Sequence, residues 1–76
     1  MLIHVILAGP LSRYGNGCRE LSVEGEKGWQ VADLISHLKI PEMSYSFVSI
    51  GGRKVEEHRP LSEGVVVTVF PPVSGG

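Results

Sequence analysis

The last residues of the chain have the composition needed for acyl-transfer chemistry. Gly75 and Gly76 carry no side chains, so a partner could close a narrow channel around them and reach the terminal carboxylate from every side. A carboxylate at neutral pH is a poor electrophile, and it must become a mixed anhydride before an amine or a sulfur nucleophile can attack it. The chain has no phosphate-binding loop for ATP, because Gly15-Asn16-Gly17 lacks the lysine and hydroxyl residue that such loops require. Activation would therefore fall to another protein.

Two prolines precede this segment. Pro71 and Pro72 cannot donate to a sheet ladder, and they favour an extended polyproline conformation. We therefore expect residues 71–76 to project from the domain as a tail, with Val73, Ser74 and Gly75 as the part that threads into a partner. The alternative is that the two last glycines are incidental. With glycine at about 7% of average composition, such a pair arises by chance in about one chain in two hundred.

The length and composition limit the possible functions. A chain of 76 residues is one small domain, since it hides only about 60% of its unfolded surface on folding. The 42% hydrophobic content is enough for a packed core. We predict a single domain over residues 1–76. It is expected to be a carrier, binding module or subunit rather than an enzyme, with no catalytic site of its own.

Charge and cysteine content exclude further classes. Seven basic and eight acidic residues give a net charge of −1, and the basic residues are scattered, which argues against nucleic acid as a partner. The apolar run near the start is too short to span a membrane or to export the chain. Cys18 is the single cysteine, and three scattered histidines supply no metal-ligand spacing around it. We expect a cytoplasmic protein with no metal, cofactor or membrane association.

Two strands are predicted in the first part of the chain. Residues 2–7 form a β-branched, apolar run typical of a buried strand, and residues 19–24 alternate between polar and apolar as an edge strand does. Turn residues between Tyr14 and Gly17 allow the chain to reverse. The predicted inward-facing side chains are Ile3, Val5, Leu7, Leu21 and Val23.

A helix follows the second strand. Apolar residues at i, i+3, i+4 and i+7 form the stripe of an amphipathic helix. Lys39 is expected in its last turn, and Pro41 ends it. The beginning is weakly marked, because Gly28 and Trp29 stand where a capping serine, threonine or aspartate would be expected. The stripe consists of Val31, Leu34, Ile35 and Leu38.

The remaining runs complete an α+β arrangement. Residues 47–50, a Gly51-Gly52 turn and residues 53–55 predict a short hairpin, and the valine-rich residues 65–70 predict a central strand. If the last strand pairs beside the first, one main helix crosses one face of a mixed sheet of four to five strands. That arrangement is the β-grasp, the fold of ubiquitin.

The predicted alternation also defines a surface on the far side of the sheet. Four side chains face away from the helix: Ile6, Val66, Thr68 and Phe70. With Pro71 and Pro72 they form a half-apolar patch beside the tail, which favours partner docking. The alternative is that loops cover these residues or that scattered apolar side chains need no partner.

The chain resembles the small sulfur-carrier subunit of molybdopterin synthase, and less closely the thiamine sulfur carrier. The strongest part of the resemblance is residues 70–76, FPPVSGG, and weaker matches are residues 3–11, 31–38 and 59–64. Two features depart from the family pattern. Val65 and Val66 stand where acidic residues are usual, and Gly51-Gly52 replaces the frequent Asn-Gly.

The resemblance implies a mechanism. Gly76 would be adenylated by an enzyme of the MoeB/ThiF type, related to the enzymes that activate ubiquitin, and then converted to a thiocarboxylate. The tail would deliver sulfur inside the large catalytic subunit of molybdopterin synthase (MoaE type), which acts on a pterin precursor. Three alternatives stay open: sulfur transfer in thiamine synthesis, ubiquitin-like protein modification, and a plain β-grasp interaction module.

Overall fold

Five strands and one α-helix form the part of the chain that the computed structural model describes, residues 1–73. Ser74, Gly75 and Gly76 lie outside the described residues. The strands are β1 (Leu2–Leu7), β2 (Glu20–Glu24), β3 (Phe47–Ile50), β4 (Arg53–Val55) and β5 (Val65–Phe70), and the helix is α1 (Val31–His37). Two 3-10 turns, Gly9–Gly15 and Glu42–Ser44, complete the described elements.

The sheet is mixed, with the strand order β2-β1-β5-β3-β4. β1 and β5 pair in parallel, with Val5 opposite Val67, and the other neighbours are antiparallel. The last strand therefore lies beside the first, and the two most apolar strands occupy the interior of the sheet. The predicted α+β, β-grasp arrangement is confirmed.

The core lies between the inner face of the sheet and α1. The alternating side chains of β1 and β5 are fully buried there, and they form one cluster with the apolar stripe of the helix. Each such side chain contributes about 1.5–3 kcal/mol by leaving water. The least exposed members are Ile3, Val5, Leu7, Val31, Leu34, Val67 and Val69. The predicted core faces of both strands are correct.

The ends of α1 differ from the prediction. At the beginning, the Asp33 carboxylate accepts a hydrogen bond of 2.7 Å from the Gln30 N–H, a cap contact that the sequence analysis missed. At the end, Lys39 is not in the last turn. It adopts a left-handed conformation (φ 58°) beyond the helix, and its N–H donates to the Ser36 carbonyl while the Ile40 N–H donates to that of Ile35. This is a Schellman ending built on lysine instead of glycine.

The segment between β1 and β2 is more ordered than a simple turn. Residues Gly9–Gly15 form a 3-10 turn whose Leu11 side chain is buried, and within the predicted reversal at residues 14–17 Asn16 and Gly17 have positive φ angles. β2 begins at Glu20, one residue later than predicted. Within residues 1–73, no helix has the length and apolar content required to cross a membrane.

Gly25 lies against the core at the end of β2, and replacing it should destabilise the fold. A Cβ on Gly25 would lie 2.7 Å from Cδ1 of the buried Ile3 and 2.7 Å from a ring carbon of Trp29, so one of them must move. We expect Gly25→Ala to lower the free energy of unfolding by about 1–3 kcal/mol, the usual cost of overpacking. Urea unfolding followed by Trp29 fluorescence measures the change. Glu26→Ala, at the exposed next position, is the control, and equal stability of the two variants would contradict the prediction.

Candidate functional site

The tail leaves the sheet at the end of β5. Phe70 and Pro71 are half-buried, Pro72 is exposed, and Val73 is 89% exposed. We refer to residues 70–72 as the tail root. The described part of the tail thus passes from the sheet into solvent within three residues. The predicted threading residues Ser74 and Gly75 and the predicted acyl site Gly76 lie outside the described residues.

Hydrogen bonds from two loops hold the end of β5 and the tail root. The Ala8 N–H donates to the Val69 carbonyl at 3.0 Å. On the other side, the Ser46 N–H donates to the Phe70 carbonyl at 2.8 Å, and the Ser46 hydroxyl donates to the Pro71 carbonyl at 3.0 Å. Three successive carbonyls, those of residues 69–71, therefore have donors, and the last carbonyl, one residue past the end of β5, accepts from a side-chain hydroxyl.

Gly9 forms one side of the tail root. Its φ of +56° favours glycine, and a Cβ built on it would lie 3.5 Å from Cγ of Pro71, an ordinary contact distance. The first 3-10 turn thus begins beside the proline ring, with the space of one side-chain carbon between them. Backbone conformation, rather than lack of space, is the reason for a glycine at this position.

The outer face of the sheet, defined as Ile6, Val66, Thr68 and Phe70, adjoins the tail root. Thr68 is paired with Ile6 in β1 and with Ser49 in β3, and Phe70 is paired with Phe47, so all of these residues point to the same side. Val66 is 46% exposed, and the other three are half-buried. The structure therefore brings the four residues predicted for docking together on one face.

An aromatic pair lies at the tail end of this face. The rings of Phe47 and Phe70 are stacked, with centroids 4.6 Å apart and planes 17° from parallel. The Lys54 ammonium lies 5.7 Å from the centre of the Phe47 ring, within cation–π range. Because Phe70 is packed in this way, its replacement would disturb the sheet as well as any docking. Val66 is therefore the cleaner probe of the outer face.

A groove that the sequence does not predict lies beside the tail. It measures about 200 Å³ and is lined by residues of both 3-10 turns together with Pro72, among them Arg13 and Met43. The Tyr14 hydroxyl donates to Ser44 Oγ at 3.3 Å and joins the two turns, while the Met43 side chain is 88% exposed. The lining residues come from three segments that are distant in sequence, so only the folded arrangement brings them together.

Two other side chains with reactive groups are the phenol of Tyr45 and the free thiol of Cys18. Burial raises the pKa of the Tyr45 hydroxyl, and the Glu57 and Glu42 carboxylates raise it further, so this phenol is protonated at neutral pH. Cys18 is exposed between the first 3-10 turn and β2. Neither side chain contacts the tail root through the hydrogen bonds described above.

A comparison with protein-family models decides the identity of this arrangement. The model described as the ThiS family matches residues 6–76, which include the end of β1, the other four strands, the helix and the whole tail. The chain belongs to the ThiS family. ThiS-family proteins are ubiquitin-like sulfur carriers, small carrier proteins rather than enzymes. The resemblance predicted from residues 70–76 is thereby confirmed.

Solved structures share the fold of this ThiS-family chain. A Pyrococcus furiosus protein described as subunit 1 of a molybdopterin converting factor has a TM-score of 0.78 and 28% identity, covering 96% of this chain and 99% of its own. SAMP1 from Haloferax volcanii has a TM-score of 0.77 and 21% identity, with full coverage of both chains.

A third similar structure contains a partner. In Helicobacter pylori, subunits 1 and 2 of the molybdopterin-converting factor were solved as a protein–protein complex; the matching chain has a TM-score of 0.68 and 20% identity, again with full coverage of both chains. At these identities the SAMP1 and H. pylori structures support the fold. A sequence comparison with curated proteins finds no match.

Proposed function

We propose that the chain is a sulfur carrier in molybdopterin biosynthesis, in which Gly76 is adenylated by a partner enzyme and converted to a thiocarboxylate. The observation that carries this proposal is the family match, which extends through Gly76. The P. furiosus neighbour, 28% identical over nearly the whole of both chains, supports the molybdopterin pathway.

The proposed chemistry has three steps, all involving the carboxyl group of Gly76. A Gly76 carboxylate oxygen attacks the α-phosphate of ATP, pyrophosphate leaves, and an acyl-adenylate forms on an activating enzyme of the MoeB/ThiF type. A persulfide then attacks the acyl carbon and AMP leaves, giving an acyl disulfide. A second thiol attacks the sulfur that belongs to the donor protein's cysteine, so a protein disulfide forms and the thiocarboxylate leaves with the sulfur bound to the acyl carbon. The chain itself supplies only the acyl group.

The outer face and the tail have separate roles in this proposal. The outer face, with the tail root, docks on the partner, while Val73, Ser74 and Gly75 thread toward its active site. Pro71 and Pro72 keep this segment extended between the two regions. A large catalytic subunit of the MoaE type would take the sulfur. The H. pylori complex supports a partner protein in general, because one chain of that complex has the same fold.

A protein-modifier function is the second candidate. SAMP1 is also described as small archaeal modifier protein 1, and it shares the fold over the full length of both chains. A modifier would use the same activated Gly76 but transfer the acyl group to a lysine amine. Covalent adducts on other proteins that disappear when Gly76 is deleted would favour this function.

Intact mass spectrometry tests the sulfur-carrier function. The purified chain is incubated with ATP, an adenylating enzyme and a persulfide donor, and we expect a mass increase corresponding to replacement of one oxygen by sulfur at Gly76. Omission of ATP should abolish the increase, because no acyl-adenylate forms. A chain that stays unmodified with every matched activating enzyme, including the enzyme from its own host, would contradict the proposal.

A further inference from the structure

The strongest new feature of the structure is a hydrogen bond between a loop and the tail. We propose that Ser46 is a positioning residue: its hydroxyl, bonded to the Pro71 carbonyl at 3.0 Å, fixes the direction in which the tail leaves the sheet and so presents it to the activating enzyme. This inference rests on the proposed function. No spacing or motif in the sequence relates Ser46 to Pro71.

Ser46 contacts the tail root through two different groups. Its N–H holds the Phe70 carbonyl at 2.8 Å, and this contact continues the β3–β5 ladder, in which the next residue, Phe47, pairs with Phe70. Its hydroxyl reaches one residue further, to Pro71. The backbone contact depends on the fold alone, whereas the second contact depends on the side chain. A substitution at Ser46 can therefore remove the second contact and leave the first intact.

The Pro71 carbonyl is the last group of the described tail that accepts a hydrogen bond from the body of the protein. Neither Pro71 nor Pro72 has an N–H, so the backbone offers no donor between Phe70 and Val73. In residues 1–73 this carbonyl is the last backbone group of the tail with a hydrogen-bond partner in the structure. Gly9 lies near the proline ring on the other side, with room for one carbon between them. Pro71 thus lies between two loops, and Ser46 is the residue that holds it by a hydrogen bond.

Pro71 and Pro72 extend the orientation set at the Pro71 carbonyl to the residue that follows them. The ring of proline fixes φ near −65°, so Pro71 and Pro72 form a stiff unit. A direction set at the Pro71 carbonyl is therefore transmitted to Val73 instead of being lost in a flexible linker. Pre-orientation of this type lowers the entropic cost of inserting the tail into a partner.

Kinetics of adenylation test the role of the hydroxyl. We expect Ser46→Ala to reduce kcat/KM for the activating enzyme about threefold to tenfold, the effect of one ordinary hydrogen bond, through a higher KM with little change in kcat. Ser46→Thr keeps a hydroxyl and should restore most of the activity. Ser62→Ala, an exposed serine in the turn before β5 and at the opposite end of that strand from the tail root, is the matched control and should behave as the wild type.

A readout without the enzyme supports the same test. Val73 carries the first backbone N–H after Phe70, and its NMR order parameter reports motion of the tail on the ps–ns timescale. We expect a lower order parameter in Ser46→Ala, restored in Ser46→Thr, with Tm close to that of the wild type. A structural defect would lower Tm and would not be limited to the tail.

The outcomes separate this inference from the proposed function. If the wild type is adenylated and Ser46→Ala has the same KM and the same Val73 order parameter, the positioning role is wrong and the carrier function stands. A fall in kcat alone, or activity that Ser46→Thr does not restore, also overturns the role. If the wild type is never adenylated, the carrier function and the role of Ser46 in it both fail.

Discussion

Deletion of Gly75 and Gly76 is expected to lower adenylation of the chain by about a thousandfold or more. The truncated chain still ends in a carboxylate, but that carboxylate is two residues short, about 7 Å along an extended backbone. A misplacement of 1 Å at a reacting centre can cost about a hundredfold in rate, so this distance leaves no productive contact with ATP. Pyrophosphate release with the activating enzyme measures the effect.

Stability provides the control for this deletion. The core lies between β1, β5 and α1, and the described tail is exposed by Val73, so Tm should change by no more than about 2 °C. Gly75→Val is a second variant that keeps the chain length. Its branched side chain should block a channel shaped for glycine and reduce adenylation to a similar extent. Normal turnover of either variant would show that the last two glycines are not needed.

The second large effect is a loss of folding that we expect from a charge on the inner face of β5 and not from the same charge on its outer face. Val66 and Val67 are adjacent, but Val66 is 46% exposed on the outer face and Val67 is fully buried between β1 and β3. We expect Val67→Asp to be unfolded at 25 °C. The cost of burying an unpaired carboxylate is comparable to the about 5–15 kcal/mol that keeps a small domain folded. Circular dichroism and amide NMR spectra measure the loss of the fold.

Val66→Asp should instead fold and fail to dock. Aspartate is unfavourable in a strand by no more than about 1 kcal/mol, so the sheet should persist. If the outer face contacts the partner, a charge at this position should weaken binding about tenfold to a hundredfold, measured by calorimetry with the activating enzyme or the large subunit. Wild-type affinity of Val66→Asp would exclude this part of the face from docking. A folded Val67→Asp would contradict the register of β5.

Much of the sheet could be predicted because its boundaries are local. β3, β4 and β5 begin and end where predicted, since the Gly51-Gly52 turn and the prolines after Phe70 mark the limits of β-branched runs. The pairing of β1 with β5 was expected only on the condition that the last strand lies beside the first, and the structure adds its parallel direction. The boundary signals lie within a few residues of the structure that they specify, whereas this pairing joins strands that are distant in sequence.

The missed features depend on contacts between distant residues. Lys39 ends α1 in a left-handed conformation that favours glycine, and burial of the neighbouring Ile40 accompanies this ending. The Ser46–Pro71 hydrogen bond joins residues 25 positions apart, and serine has no pattern that reveals its partner. The composition of the tail was visible in the sequence, whereas the hydrogen bond at its root was not.

Because β5 pairs with β1 in the middle of the sheet, the tail root forms only after the last strand has been synthesised. β5 occupies the middle of the sheet and is the last strand in the described chain, so a nascent chain without it leaves one edge of β1 and one edge of β3 unpaired on either side of a gap. The strand that closes this gap also leads directly into the tail. An unfolded molecule therefore has no fixed tail root, and under the proposed function we expect the activating enzyme to prefer molecules that have already folded.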